Sequence, residues 1–146
     1  MRAIGVHVIF STKDRNRCLT AELQRRLWAY MAGVAQKQGF TALIIGGVED
    51  HVHALIALPP TMPLSKAIQF LKGSSSKWIN DDKAGGGDFA WQEGYGAFSI
   101  SASHTADVYR YIRNQKEHHA RKTFEDEFSF CLKKCGIEFD PEHVFG

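Results

Sequence analysis

Apolar positions along the chain fall alternately into short β-branched runs and longer stretches of helical period, and this alternation predicts its elements. Residues 5–10 (GVHVIF), closed by the polar stretch 11–17, predict a strand. Thr20 is a suitable helix cap, and Leu23, Leu27, Tyr30, Met31 and Val34 recur at helical spacing until the stop signal Gly39, so a helix is expected over 21–38. Residues 41–45 and 52–58 are strand-like and joined by Gly46, Gly47, Val48, Glu49 and Asp50, a hairpin pattern. Pro59, Pro60 and Pro63 break the chain before a second helix over 64–80, whose apolar positions include Ile68, Leu71 and Trp78. Residues 81–88, with Gly85, Gly86 and Gly87 in a row, predict a surface loop. A last strand is expected over 98–101, then a third helix capped by Ser103 or Thr105 and running to about Arg121, and a fourth over 124–134 ending at Gly136. The order β-α-β-β-α-β is that of the ferredoxin-like (RRM-like) split unit: an α+β fold with an antiparallel sheet, helices on one face, and added C-terminal helices.

At 146 residues, 44% hydrophobic and 23% charged, the chain suits a single domain over 1–146 with its own core. Cys18, Cys131 and Cys135 match no zinc or disulfide spacing, so reduced thiols are expected. No charged-then-apolar leader opens the sequence and no apolar run approaches the roughly 20 residues that cross a bilayer, so a cytoplasmic protein without membrane partners is expected. The net charge of +2 does not by itself announce a nucleic-acid binder. Its distribution is uneven: Lys13, Arg15, Arg17, Arg25 and Arg26 cluster early, Arg110, Arg113, Lys116, Arg121 and Lys122 crowd a later segment, and the tail is acidic. Such clusters serve either phosphate binding or an ordinary solvated helix face.

Chemistry concentrates at two places. In His51-Val52-His53, residues two apart on a strand project to one face, so both imidazoles can reach one cation while the valine points away. The pair alone is a weak motif, since half-exposed histidines at a strand end are common. Asp50 beside it is either a carboxylate that orients a ligand or a turn residue. The other place is the third helix, where the stripe from Val108 selects Tyr111, Ile112, Gln115 and His119. Its apolar face turns polar halfway along, and buried polar groups need partners, so the stripe is expected to reach a site as well as a core. Tyr109 falls instead on the face of Arg113 and Lys116, which favours Tyr111 if one tyrosine is a nucleophile.

With these residues, the chain resembles the single-tyrosine HUH transposases of small bacterial insertion sequences, the IS200/605 group. The resemblance rests on an ordered set: Phe10-Ser11-Thr12-Lys13, Glu49-Asp50-His51-Val52-His53, Leu71-Lys72-Gly73-Ser74-Ser75-Ser76, Trp91 with Gly94-Tyr95, Tyr111-Ile112-Arg113-Asn114-Gln115, and Glu117-His118-His119. It implies the same fold, with His51, His53 and Gln115 as metal ligands and Tyr111 as nucleophile. It further implies cleavage and rejoining of hairpin-bearing single-stranded DNA through a 5′-phosphotyrosine, with no nucleotide cofactor. Mg²⁺ prefers oxygen ligands and Mn²⁺ accepts imidazole more readily, so either ion suits that ligand set. Lys13, Arg15, Lys72, Arg113 and Lys116 then become candidates for phosphate contacts, and Trp91 or Tyr95 for base stacking. Trp28 and Trp78, in amphipathic helices, are expected in the core.

Three other readings compete. A zinc metallohydrolase would recruit His104, His118 or His119 to the pair and leave Tyr111 idle. An RNA-binding ferredoxin-like module should carry aromatics on its central strands, and residues 52–58 have none. A domesticated relative associated with repetitive palindromes would keep the fold and chemistry without mobility. The resemblance also implies a homodimer with active sites shared between subunits, and the small, polar residues 101–107 would then direct the tyrosine helix away from its own sheet.

Overall fold

A computed structural model describes residues 4–82 and 87–115. The expected fourth helix, the end of the third, and Lys116, His118, His119, Cys131 and Cys135 lie outside the described residues. The elements run β1 (Ile4–Ser11), α1 (Ala21–Lys37), β2 (Thr41–Gly47), β3 (His51–Leu58), α2 (Leu64–Asp81), β4 (Gly96–Ile100) and α3 (Thr105–Arg113). The four strands lie in the order β2-β3-β1-β4 with every neighbouring pair antiparallel, which is the ferredoxin-like arrangement expected from the sequence. No helix among the described residues is long and apolar enough to cross a membrane.

Strand pleating sorts the residues of β1 and β3 into two sets. Val6, Val8 and Phe10 pair with Ile56, Ala54 and Val52. These six join Leu23, Leu27 and Met31 of α1 and Ile68 and Leu71 of α2 in one buried cluster. Full burial of a leucine or methionine is worth about 1.5–3 kcal/mol, so this layer dominates the stability of the sheet and its two helices. His7, Ile9 and Ser11 pair with Leu55, His53 and His51 and belong to the opposite face. Helix α1 begins where Thr20 accepts a hydrogen bond from the Leu23 amide, and Gly39, at φ +91°, ends the turn that follows it. Trp28 and Trp78 are partly buried against the core, and Trp78 stacks on Tyr30 with the Arg26 guanidinium 5.3 Å from its ring centre.

Helix α3 lies against β2 and β3. Its Ile112 meets Gly46, and a Cβ on that glycine would stand 2.6 Å from the Ile112 carbonyl oxygen. This explains why β2 continues through Gly46 and Gly47, which the sequence suggests are turn residues. A Cβ on Gly47 would stand 2.2 Å from the His51 carbonyl oxygen, so the glycines serve close approach of other backbone. The turn itself is Val48-Glu49-Asp50, closed by the Val48 amide donating to the His51 carbonyl.

The start of α3 departs from expectation in its cap. Neither Ser103 nor Thr105 caps it: His104 occupies the N-cap position without a side-chain cap bond. Ser101 Oγ instead bonds Ser103 Oγ and His104 Nδ1, and Thr105 donates to the Ser101 carbonyl. In the single chain, that compact turn leads into an α3 that packs on β2 and β3.

Gly46→Ala tests the tight seat of α3. The added methyl meets backbone that cannot rotate aside, so α3 should lift while the α1–α2 layer remains. We expect near-native circular dichroism together with faster amide exchange at Ile112. Unchanged exchange at Ile112 would show that the close approach is not needed.

Candidate active site

The β1–β3 register brings three imidazoles together on the α3 side of the sheet. His51 and His53 are fully buried and their ring centres lie 5.2 Å apart. Each is held through Nδ1 by a different partner. Asp50 Oδ1 lies 2.8 Å from His51 Nδ1, and His7 Nε2 lies 2.9 Å from His53 Nδ1. With Nδ1 so engaged, a ligand of either ring would have to be met through Nε2. Asp50 is therefore more than a turn residue, since its carboxylate fixes the His51 ring.

Helix α3 adds two groups to the same place. The Tyr111 ring stands edge-on to His53, with centres 5.7 Å apart, and 6.3 Å from His7. One turn further, Gln115 is 1% exposed and its Oε1 accepts no hydrogen bond from the described residues. Its Nε2 makes only a long contact of 3.5 Å to the Tyr111 carbonyl. A buried amide oxygen left without a donor costs about 1–3 kcal/mol, whereas a cation would satisfy it. Two imidazoles and an amide oxygen suit a divalent ion such as Mg²⁺ or Mn²⁺. Among the described residues no group of three His, Cys, Asp or Glu side chains could hold a metal, and His104 is tied to Ser101 on an exposed turn. The metallohydrolase ligand set therefore does not assemble from the described residues.

Of the other residues singled out in the sequence, Lys13 and Arg15 occupy the short turn Lys13–Arg15, which Thr12 separates from Ser11, the partner of His51. Asp14 and Arg15 adopt φ of 55° and 51°, a left-handed conformation that non-glycine residues take at a cost. The turn is anchored by the Thr12 amide on the Asp50 carbonyl and the Lys13 amide on the Ala90 carbonyl. Arg113 is exposed and, with Arg25, Trp28, Gly46, Gly47 and Asn114, borders a groove of about 380 Å³ that reaches Gln115.

Two expectations change. Trp91 is not a base-stacking platform: its ring meets Phe10 and Phe89 edge to face, each at 4.8 Å, and its Nε1 donates to the buried Ser75 hydroxyl. Lys72 is half-buried with Nζ donating to the carbonyls of Gln92 and Gly94, and desolvation lowers its pKa. Two of its three protons thus hold the segment before β4, leaving one for any phosphate. Tyr95 is 37% exposed and Tyr109 38%. His7 is the residue sequence reasoning missed. The signal was a lone histidine in the apolar run GVHVIF, two positions from Ile9 and so on the face that carries His53.

The site is thus an antiparallel ferredoxin-like sheet with a histidine pair on one face and a tyrosine-bearing helix packed over it. The family described as transposase IS200 like matches residues 1–115, and the chain belongs to it. It is 25% identical over 117 residues to the ISDra2 transposase TnpA of Deinococcus radiodurans, covering 76% of this chain and 83% of that protein. It is 26% identical over 117 residues to the transposase for insertion sequence element IS200 of Salmonella typhimurium, covering 76% of each. A solved REP-associated tyrosine transposase bound to a REP hairpin superposes with a TM-score of 0.61 at 16% identity, over 82% of this chain and 70% of that one. That last likeness is one of fold.

Proposed function

We propose that this transposase cuts and rejoins hairpin-bearing single-stranded DNA, with Tyr111 as nucleophile and His51, His53 and Gln115 as ligands of Mg²⁺ or Mn²⁺. The observation that carries the reading is the convergence, from β3 and the α3 segment, of two oriented imidazoles, a phenol and a buried amide oxygen. When bound, the divalent ion would supply Lewis-acid stabilisation of charge on the scissile phosphate. The Tyr111 oxygen attacks phosphorus, the bond to the 3′ oxygen breaks, and that oxygen leaves as a hydroxyl after taking up a proton. A 5′-phosphotyrosine remains, and a 3′-hydroxyl can reverse the step without ATP because the phosphodiester energy is conserved. Lys13, Arg15, Arg113 and Lys116 neutralise the backbone, Lys72 contributes at most its one remaining proton, and Tyr95 offers an exposed ring to a base. The two relatives named for insertion sequences support a mobile element over a domesticated form.

In this reading the enzyme works as a homodimer with active sites shared between subunits. That arrangement is what the family resemblance implies, and an exchanged α3 could remake on the partner's sheet the close approach to Gly46 that it makes on its own. The chemistry is tested with a hairpin-bearing single strand labelled at its 3′ end and incubated with Mn²⁺. A labelled protein band that survives denaturation, together with a released fragment that a polymerase can extend, is the expected result. Hydrolysed products with no labelled protein would replace the tyrosine mechanism with a hydrolytic one.

A further inference from the structure

We propose that His7 is a positioning residue: its Nε2 accepts the Nδ1 proton of His53, which fixes the His53 tautomer whose Nε2 can bind a cation. The inference rests on the reading of His53 as a metal ligand and extends it to a residue on β1, the strand paired directly with β3. A neutral imidazole carries one proton on two nitrogens, and only the nitrogen without it can coordinate. His7 and His53 stand 2.9 Å apart, Nε2 to Nδ1, with His7 only 4% exposed and His53 fully buried. One proton must lie between those two nitrogens. If it belongs to His53, the His53 Nε2 lone pair is free of it and points away from His7.

The neighbouring histidine provides the parallel. Asp50 Oδ1 stands 2.8 Å from His51 Nδ1, so each histidine of the pair has its own acceptor supplied by this chain. The two acceptors differ in charge. A carboxylate strengthens a ligand's donation to a metal, whereas a neutral imidazole orients the ring without adding a negative charge beside the site. The β1–β3 register makes the arrangement robust: Ile9 faces His53 directly and His7 is its diagonal neighbour, so the two rings meet across the pleat. Ring centres 5.1 Å apart and tilted by 34° fit an in-plane bond better than a stack.

Imidazole nitrogen spectra of the ¹⁵N-labelled, metal-free protein, recorded about two units above the ordinary histidine pKa of roughly 6.5, read the tautomer directly. Wild type should show His53 protonated on Nδ1. In His7→Phe that preference should be lost while the His51 signals stay unchanged, and His7→Gln, whose amide oxygen can accept, should restore it. Mn²⁺ titration should show affinity weakened about 10–100-fold in His7→Phe and largely recovered in His7→Gln. A wild-type His53 protonated on Nε2 overturns the proposal, as does a folded His7→Phe with unchanged tautomer and Mn²⁺ affinity. Should His7→Phe not fold, the wild-type spectrum and His7→Gln still decide. If wild type binds no Mn²⁺, the metal reading fails, and the tautomer spectra separately report whether His7 orients His53.

Discussion

Tyr111→Phe is expected to form no covalent adduct and to lose about a thousandfold or more in cleavage, while binding the hairpin strand within about twofold of wild type. The substitution keeps the ring that packs edge-on against His53 and removes only the hydroxyl, so neither the seat of α3 nor the basic turn at Lys13 and Arg15 should change. Tyr109→Phe is the matched control. It lies two residues away on the same helix, is 38% exposed, and should keep cleavage within about twofold. An adduct that persists in Tyr111→Phe and disappears in Tyr109→Phe would reverse the assignment. Adduct loss in both would point to a disturbed helix.

The second large effect is expected from His53→Ala, which removes one imidazole of the pair and leaves the amide oxygen of Gln115 a poorer ligand set to complete. Mn²⁺ binding and cleavage should both fall by at least about a hundredfold, and EDTA should stop the wild type. Cleavage at full rate in EDTA would remove the metal from the mechanism. The same variant settles how sites are divided between subunits. Co-expressed with Tyr111→Phe at random, it should place about half the dimers in mixed form. If sites are shared, each mixed dimer has one intact site, activity returns to about a quarter of wild type, and the adduct sits on the His53→Ala chain. If each chain serves itself, as the placement of α3 on its own sheet allows, mixed dimers stay silent.

Much of this was written in local pattern. The short apolar runs predict both β1 and β3, the two-residue period of a strand predicts the shared face of His51 and His53, and the helical spacing of Tyr111 and Gln115 predicts that they point the same way. What escaped were features set by distant neighbours. Gly46 and Gly47 carry turn chemistry, yet their reason is the proximity of Ile112 and His51 backbone, which no local window contains. Trp91 lies between α2 and β4, and only the position of Ser75 on α2 reveals that its indole nitrogen is satisfied inside the core. Lys72 reads as a helix-surface cation, but carbonyls some twenty residues later take it up. His7 needed the pairing of β1 with β3 before its partner could be known.

That pairing couples two properties usually treated separately. Val52 sits between the histidines and points into the core opposite Phe10, while His51 and His53 point to the site. A slip of a single residue would send the valine to the α3 side and drive both imidazoles into the α1–α2 layer. Chemistry and foldedness therefore share one variable, the alignment of β3. An added residue in the Val48-Glu49-Asp50 turn would forfeit both together, however conservative its side chain, whereas exchanging Val52 for another branched aliphatic of similar size would leave both nearly untouched.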